Sequence, residues 1–173
     1  MKETGILRRI DELGRIVVPK EIRKKLKIRE GDNLDIFVSE DNVILRKYSP
    51  LNDLETILTV LLEGYKKICN TNLVVTDLTK VIASTKNEIK VDDQITELYI
   101  ELVNQKEQVQ INKSMNVLIT DKYKTNQNLI IKPIVIYGDL FGSIILFSEF
   151  DSINTRQETI DLIHHFCSEY IQI

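Results

Sequence analysis

The chain has 173 residues, an ordinary share of hydrophobic residues and a net charge of −3, enough for one large domain or two small ones. No apolar run approaches the roughly 20 residues of a membrane-spanning helix, and Met1-Lys2-Glu3-Thr4 lacks the apolar stretch of a signal peptide, so a cytoplasmic protein with no membrane partner is expected. Cys69 and Cys167 form no metal-type cluster and fit reduced, buried thiols.

The charge is unevenly spread. Residues 1–29 hold ten Lys/Arg against four Asp/Glu, a net of +6, which leaves −9 for the rest. A basic N-terminal module on an acidic body is an electrostatic footprint for nucleic acid, although a chance asymmetry of solvated faces gives the same count.

Residues 4–10 read as a strand, followed by a turn centred on Gly14 and a short β-branched strand over residues 15–18. Val18 precedes proline, which disfavours helical geometry there, and Pro19 suits the first position of a helix. In that helix, residues 20–27, Ile22 and Leu26 share one face and Arg23, Lys24, Lys25 and Lys27 take the rest. Gly31-Asp32 supplies a turn. Leu34, Ile36 and Val38 alternate in a third strand, and Glu40-Asp41-Asn42 turns the chain into a fourth over residues 43–47. Four short strands and one helical turn bury little surface and leave sheet edges open. Dimerisation would pair those edges and set two basic faces about a two-fold axis, suited to two half-sites on a duplex.

These residues, from Thr4-Gly5-Ile6 through Arg8-Arg9-Ile10-Asp11-Glu12-Leu13-Gly14-Arg15-Ile16-Val17-Val18-Pro19-Lys20-Glu21-Ile22-Arg23 to Ile44-Leu45-Arg46-Lys47-Tyr48, resemble the N-terminal domain of the AbrB-like transition-state regulators. With a larger sensor-like part behind Ser49-Pro50, the order of parts is similar to the stage V sporulation protein T family. The resemblance implies a swapped-hairpin β-barrel dimer on double-stranded DNA, in a nucleoid-associated regulator of sporulation or stationary-phase genes. The family's DNA-contacting arginines fall on Arg8, Arg15 and Arg23. Lys24 stands where the family often has arginine, so phosphate contact rather than a bidentate base contact is expected of it. Arg9 is a further candidate. Such cations neutralise phosphates, and arginine also pairs with guanine O6 and N7. The helix is too short for a recognition helix, so DNA shape should carry much of the preference.

Beyond Pro50, residues Leu51, Leu54, Leu58, Leu61, Tyr65 and Ile68 recur at spacings of three and four, a helical seam interrupted by Gly64, with Asn52 and Glu55 as a capping-box variant. Ile57, Val60 and Leu62 widen its apolar surface. The helix is either a core helix on the C-terminal sheet or part of a bundle joining subunits, and the seam leads us to expect a homotetramer.

Residues 72–77 and 80–84 read as two strands about a turn at 77–79, and residues 92–104 as a helix through Ile95, Leu98, Tyr99 and Leu102, with Asp92-Asp93 as its N-terminal cap. Residues 108–127 are polar and irregular, with short strands at 109–111 and 117–119. Residues 128–137 form a long strand in which Pro133 marks an edge or bulge. Gly138-Asp139 turns it into a buried strand, 141–147. Asn154 with Gln157 caps a last helix lined by Ile160, Ile163, Cys167 and Tyr170.

The fold class is α+β, an N-terminal dimeric barrel (residues 1–50) followed by an antiparallel sheet flanked by helices (residues 51–173). Pro133-Ile134-Val135-Ile136-Tyr137-Gly138-Asp139-Leu140-Phe141-Gly142-Ser143-Ile144-Ile145-Leu146 resembles the hairpin of GAF sensor domains. That implies an α/β sensor with a small-molecule ligand which the residues do not identify, covered by 108–127; Gly138 and Gly142 are ascribed to hairpin geometry. No catalytic constellation is evident. His164 and His165 diverge on a helix, Cys167 sits on an apolar stripe, and Ser143 and Ser148 lack an elbow motif. Neither a metal nor a cofactor is expected. An antitoxin with a similar swapped hairpin, or a sensor using residues 1–50 for assembly, are the other readings; the folded look of 51–173 and the retained arginines argue against them.

Overall fold

The computed structural model of the chain describes residues 6–26, 28, 30, 34–69, 71–148 and 157–172. It divides into two units, Met1–Tyr48 and Ser49–Ile173.

In the first unit, the residues described from 6 to 19 form one tight loop between irregular arms rather than the two predicted strands. Residues 4 and 5 of the first expected strand, and the Gly31-Asp32 turn, lie outside the described residues. A two-stranded hairpin is marginal alone, so only its loop closes by hydrogen bonds. Pro19 precedes helix α1, Lys20–Lys25, instead of opening it: its φ of −57° is paired with an extended ψ of 149°. The Pro19 carbonyl still accepts the Arg23 N–H at 2.9 Å, and the Ile28 N–H closes the far end on the Arg23 carbonyl at 2.8 Å. Strands β1, Leu34–Ser39, and β2, Asn42–Lys47, pair antiparallel in register Ser39↔Asn42 through Leu34↔Lys47, as expected. No described residue of this unit from 6 to 48 is buried.

The second unit is built on a five-stranded antiparallel sheet. Its strands are β3, Leu73–Thr76; β4, Val81–Ser84; β5, Val109–Ile111; β8, Asn128–Ile136; and β9, Asp139–Ser148, in the order β4-β3-β9-β8-β5. Strands β6, Leu118–Thr120, and β7, Tyr123–Lys124, form a separate small ribbon. Alternating residues go to opposite faces. Leu73, Val75, Ile130, Ile134, Ile144 and Leu146 enter one core. Val74, Leu129, Ile131, Ile145 and Phe147 enter the other.

Three helices cover the first face: α2, Pro50–Asp53; α3, Glu55–Cys69; and α5, Gln157–Gln172. Leu51, Leu54, Leu58 and Leu62 are buried there with Ile160, Ile163 and Cys167. The core-helix reading of the seam therefore holds for one face, and the seam bends at Leu54, between α2 and α3. Pro50 takes a first-turn position in α2, so Asn52 lies inside the helix and cannot cap α3; its Oδ1 is buried with no hydrogen-bond partner. Ile68, at the end of the seam, is 85% exposed, and Cys69 is only half-buried, so of the two thiols Cys167 alone is buried. Tyr170 also falls outside the buried stripe of α5. The predicted Asn154 cap lies outside the described residues.

The second face is covered by α4, Glu97–Val103, and by 108–127, so the segment expected to cover a ligand packs onto the core through Ile111 and Ile119. Helix α4 starts five residues later than predicted. Bridges Lys80↔Gln94 and Ile95↔Thr120 hold 94 and 95 extended, and Thr96 caps the helix by accepting the Tyr99 N–H at 3.2 Å. Asp93 instead braces the preceding loop, accepting from the Lys90 N–H at 2.8 Å and from Lys122 Nζ at 2.5 Å. Lys122, followed by the Lys90 N–H, holds the Asp93 carboxyl below its ordinary value. Leu98 is exposed, while Tyr99 is buried with its hydroxyl 2.6 Å from Ser143 Oγ, itself 2.8 Å from Thr76 Oγ1.

Pro133 lies beyond the three residues that β5 covers, just before a bulge between Ile134 and Val135. Tyr137 and Gly138, with φ of 50° and 86°, form the two-residue hairpin loop. Gly142 has a different reason from the predicted hairpin geometry. A Cβ there would press into the Thr76 carbonyl oxygen and lie 2.7 Å from Leu51 Cδ1. Gly142→Ala is therefore expected to cost about 3 kcal/mol, the upper range for overpacking, read as a lower urea midpoint at an unchanged m-value.

Candidate nucleic-acid interface

The five predicted cations fall on three local structures. Arg8 and Arg9 lie on the exposed irregular arm entering the loop, with Arg8 Nη1 donating to the Leu7 carbonyl at 3.2 Å. Arg15 is the residue that closes the loop. Arg23 and Lys24 occupy the exposed last turn of α1, with Lys25 beside them. Cations at a helix C-terminus are favoured by the helix dipole, so this turn tolerates three in a row.

The loop is closed by two backbone hydrogen bonds and by the Asp11 side chain. The Gly14 N–H donates to the Asp11 carbonyl at 2.9 Å and the Asp11 N–H to the Arg15 carbonyl at 3.0 Å. This is a type I turn closed by a left-handed residue, here Gly14 with φ of 75°. Asp11 occupies the first turn position, where a short carboxylate can accept backbone N–H groups. Its Oδ1 accepts from the Leu13 N–H at 3.0 Å and the Arg15 N–H at 2.8 Å. Its Oδ2 accepts from Arg15 Nε at 2.7 Å. The Arg15 backbone N–H, and then its guanidinium, hold the Asp11 carboxyl below its ordinary value, so the carboxylate stays ionised at neutral pH. The Arg15 side chain is nevertheless 73% exposed.

The cation positions were legible as a list; the brace on one of them was not. Its signal is an Asp opening a turn that ends in Gly, four residues before Arg15. A second set of contacts fixes Arg46, which lies 4.6 Å over the Phe37 ring and 3.5 Å from Asp35 across the β1–β2 ladder.

Of the groups weighed for catalysis, His164 and Cys167 lie three apart on α5 and Ser143 lies on β9. Burial pushes the Cys167 thiol up to about 12. Ser143 is tied into the buried Tyr99–Thr76 hydroxyl chain. His164 is lowered by burial and by Lys132. Among the described residues, no group of three His, Cys, Asp or Glu side chains could hold a metal, and no helix is long and apolar enough to cross a membrane.

Residues 53–168 match the family described as stage V sporulation protein T C-terminal, transcription factor. Stage V sporulation protein T of Bacillus subtilis (strain 168) is 36% identical over 153 residues, 86% of each chain. The chain belongs to the stage V sporulation protein T family. Residues 7–53 match a second family, antidote-toxin recognition MazE, bacterial antitoxin. The transition state regulatory protein AbrB of the same organism is 54% identical over 50 residues, 29% of this chain and 52% of AbrB, about half its length. Among solved structures, the cofactor binding GAF domain of the nutrient sensor CodY from Clostridium difficile matches 65% of this chain and 80% of its own at 12% identity and a TM-score of 0.45, too loose to carry an argument about fold or ligand.

Gly14→Ala places a Cβ in the left-handed region and is expected to cost the loop about 1 kcal/mol, seen as roughly fivefold faster hydrogen exchange at the Arg15 amide.

Proposed function

We propose that this member of the stage V sporulation protein T family is a DNA-binding regulator of sporulation-type genes, with residues 1–50 on DNA and residues 51–173 setting assembly and response. The observation that carries it is the state of the N-terminal unit. Its apolar residues lie exposed, Leu7 at 92% and Val38 at 78%, beside exposed Arg8, Arg9, Arg15, Arg23 and Lys24. A second copy that interleaves its hairpin covers the former and doubles the latter, which is the swapped-dimer reading.

Joining such dimers into a tetramer falls to α3. Ile57, Val60 and Ile68 lie exposed at helical spacing, Val60 at 67%. Gly64 sits in the same stripe, and a Cβ there would meet nothing within 4 Å. The helix therefore keeps a small residue, at a cost of roughly 1 kcal/mol relative to Ala, where the described residues of its own chain give no steric reason for it. A close helix-to-helix approach supplies that reason.

The antitoxin reading suits a folded hairpin with a disordered toxin-binding tail, whereas residues 51–69, 71–148 and 157–172 here form a two-faced core. A regulatory ligand would have room in a cleft of about 760 Å³ between α3 and residues 84–91.

Arg15→Ala and Arg23→Ala are each expected to weaken DNA binding about tenfold, the scale of one bidentate contact, with unchanged thermal unfolding; equal affinity at physiological salt contradicts the reading. Val60→Glu is expected to convert a tetramer to a dimer in light scattering, and a wild-type chain that stays dimeric over a wide concentration range overturns the assembly.

A further inference from the structure

The Asp11 carboxylate does two separate jobs. One oxygen, Oδ1, accepts the Leu13 and Arg15 amides and shapes the loop. The other, Oδ2, takes Arg15 Nε at 2.7 Å. A guanidinium carries five N–H donors, four of them on its two terminal nitrogens, and the edge between those nitrogens matches guanine or phosphate bidentately. The Asp11 contact grips the side chain at Nε, the base of the fork, and the side chain remains 73% exposed. A free arginine loses much of its rotamer freedom when it docks on a base. One already held at Nε has lost part of it beforehand, and its terminal edge is aimed.

The same carboxylate has an electrostatic cost on DNA. A negative charge beside the phosphates lowers attraction to every duplex alike, and that attraction is the sequence-independent part of binding. Were Asp11 needed only to cap the loop, a neutral asparagine or serine would serve, since both cap turns of this kind.

We infer that Asp11 is a positioning residue for Arg15, which it orients through Nε, giving up affinity for DNA in general to gain discrimination between sequences. The inference rests on the reading of Arg15 as a DNA contact.

The test uses the full chain, an operator duplex selected by that chain from a random pool, and a scrambled duplex of the same length and composition. Asp11→Asn keeps the oxygen for the Leu13 and Arg15 amides and removes the charge that holds Nε. It is expected to bind the scrambled duplex more tightly and to lose about tenfold in the operator-to-scrambled affinity ratio, part of what one bidentate contact discriminates. Asp11→Ser is expected to lose the ratio to the same extent. Unchanged amide shifts at Leu13 and Arg15 show that the loop is intact. In an Arg15→Ala background, Asp11→Asn is expected to leave the ratio unchanged.

Three results overturn the positioning role. Equal gains on both duplexes make Asp11 a simple repulsive charge. An equal loss of ratio with and without Arg15 makes it a structural cap. If Arg15→Ala binds the operator as wild type does, the reading of Arg15 itself fails and the inference falls with it.

Discussion

Leu7, Leu13, Val17, Ile36, Val38 and Val43 all lie exposed in a unit of 48 residues. Burying one such side chain is worth about 1.5–3 kcal/mol, so the six together approach ~10 kcal/mol, the whole stability of an ordinary domain. The short strands and six-residue helix described in this unit bury none of these side chains. Under the proposed function, folding of the DNA-binding unit and pairing of two chains become one equilibrium, and stability depends on protomer concentration.

The C-terminal body is organised in the opposite way. Its sheet buries both faces, with residues of odd and even parity in β3 and β9 dividing between two cores. Tyr99, Ser143 and Thr76 satisfy one another's hydroxyls in the interior, and Asp93 and Lys122 lock the approach to α4. Such a body buries its apolar residues within one chain. The exposed stripe of α3 is therefore surplus to its own core, so the association proposed through that helix would leave the core intact when it forms and breaks.

Much of this was legible in the sequence wherever periodicity and burial coincide. The β1–β2 hairpin, the Ile160–Ile163–Cys167 stripe and the β8–β9 hairpin follow from alternation or helical spacing, because one buried face dictates each pattern. The misses fall where side chains act locally or where distant segments approach. Thr96 rather than Asp92-Asp93 caps α4, because bridges at 94 and 95 hold the preceding residues extended. Asn52 lost its capping role to Pro50, which begins a helix earlier. Gly142 is set by the approach of Thr76 and Leu51, a long-range contact without a sequence signature. At the candidate interface the five cations could be named one by one, but the Asp11 brace requires the geometry of the closed loop.

Under the proposed function, these two kinds of association are thermodynamically linked. A DNA-binding unit that is competent only when paired is sensitive to the local concentration of its partner. Bodies held together through α3 convert that pairing from a bimolecular step into an intramolecular one, at effective concentrations that reach the millimolar range for short connections. The connection is short: only Tyr48 and Ser49 separate β2 from α2. A ligand that binds one arrangement of the bodies more tightly than another then changes DNA affinity by the ratio of its two affinities, without touching DNA or any of the five cations. Under the proposed function, control lies in how often two N-terminal units meet, and under the inference drawn from Asp11 selectivity lies in how Arg15 is held when they do.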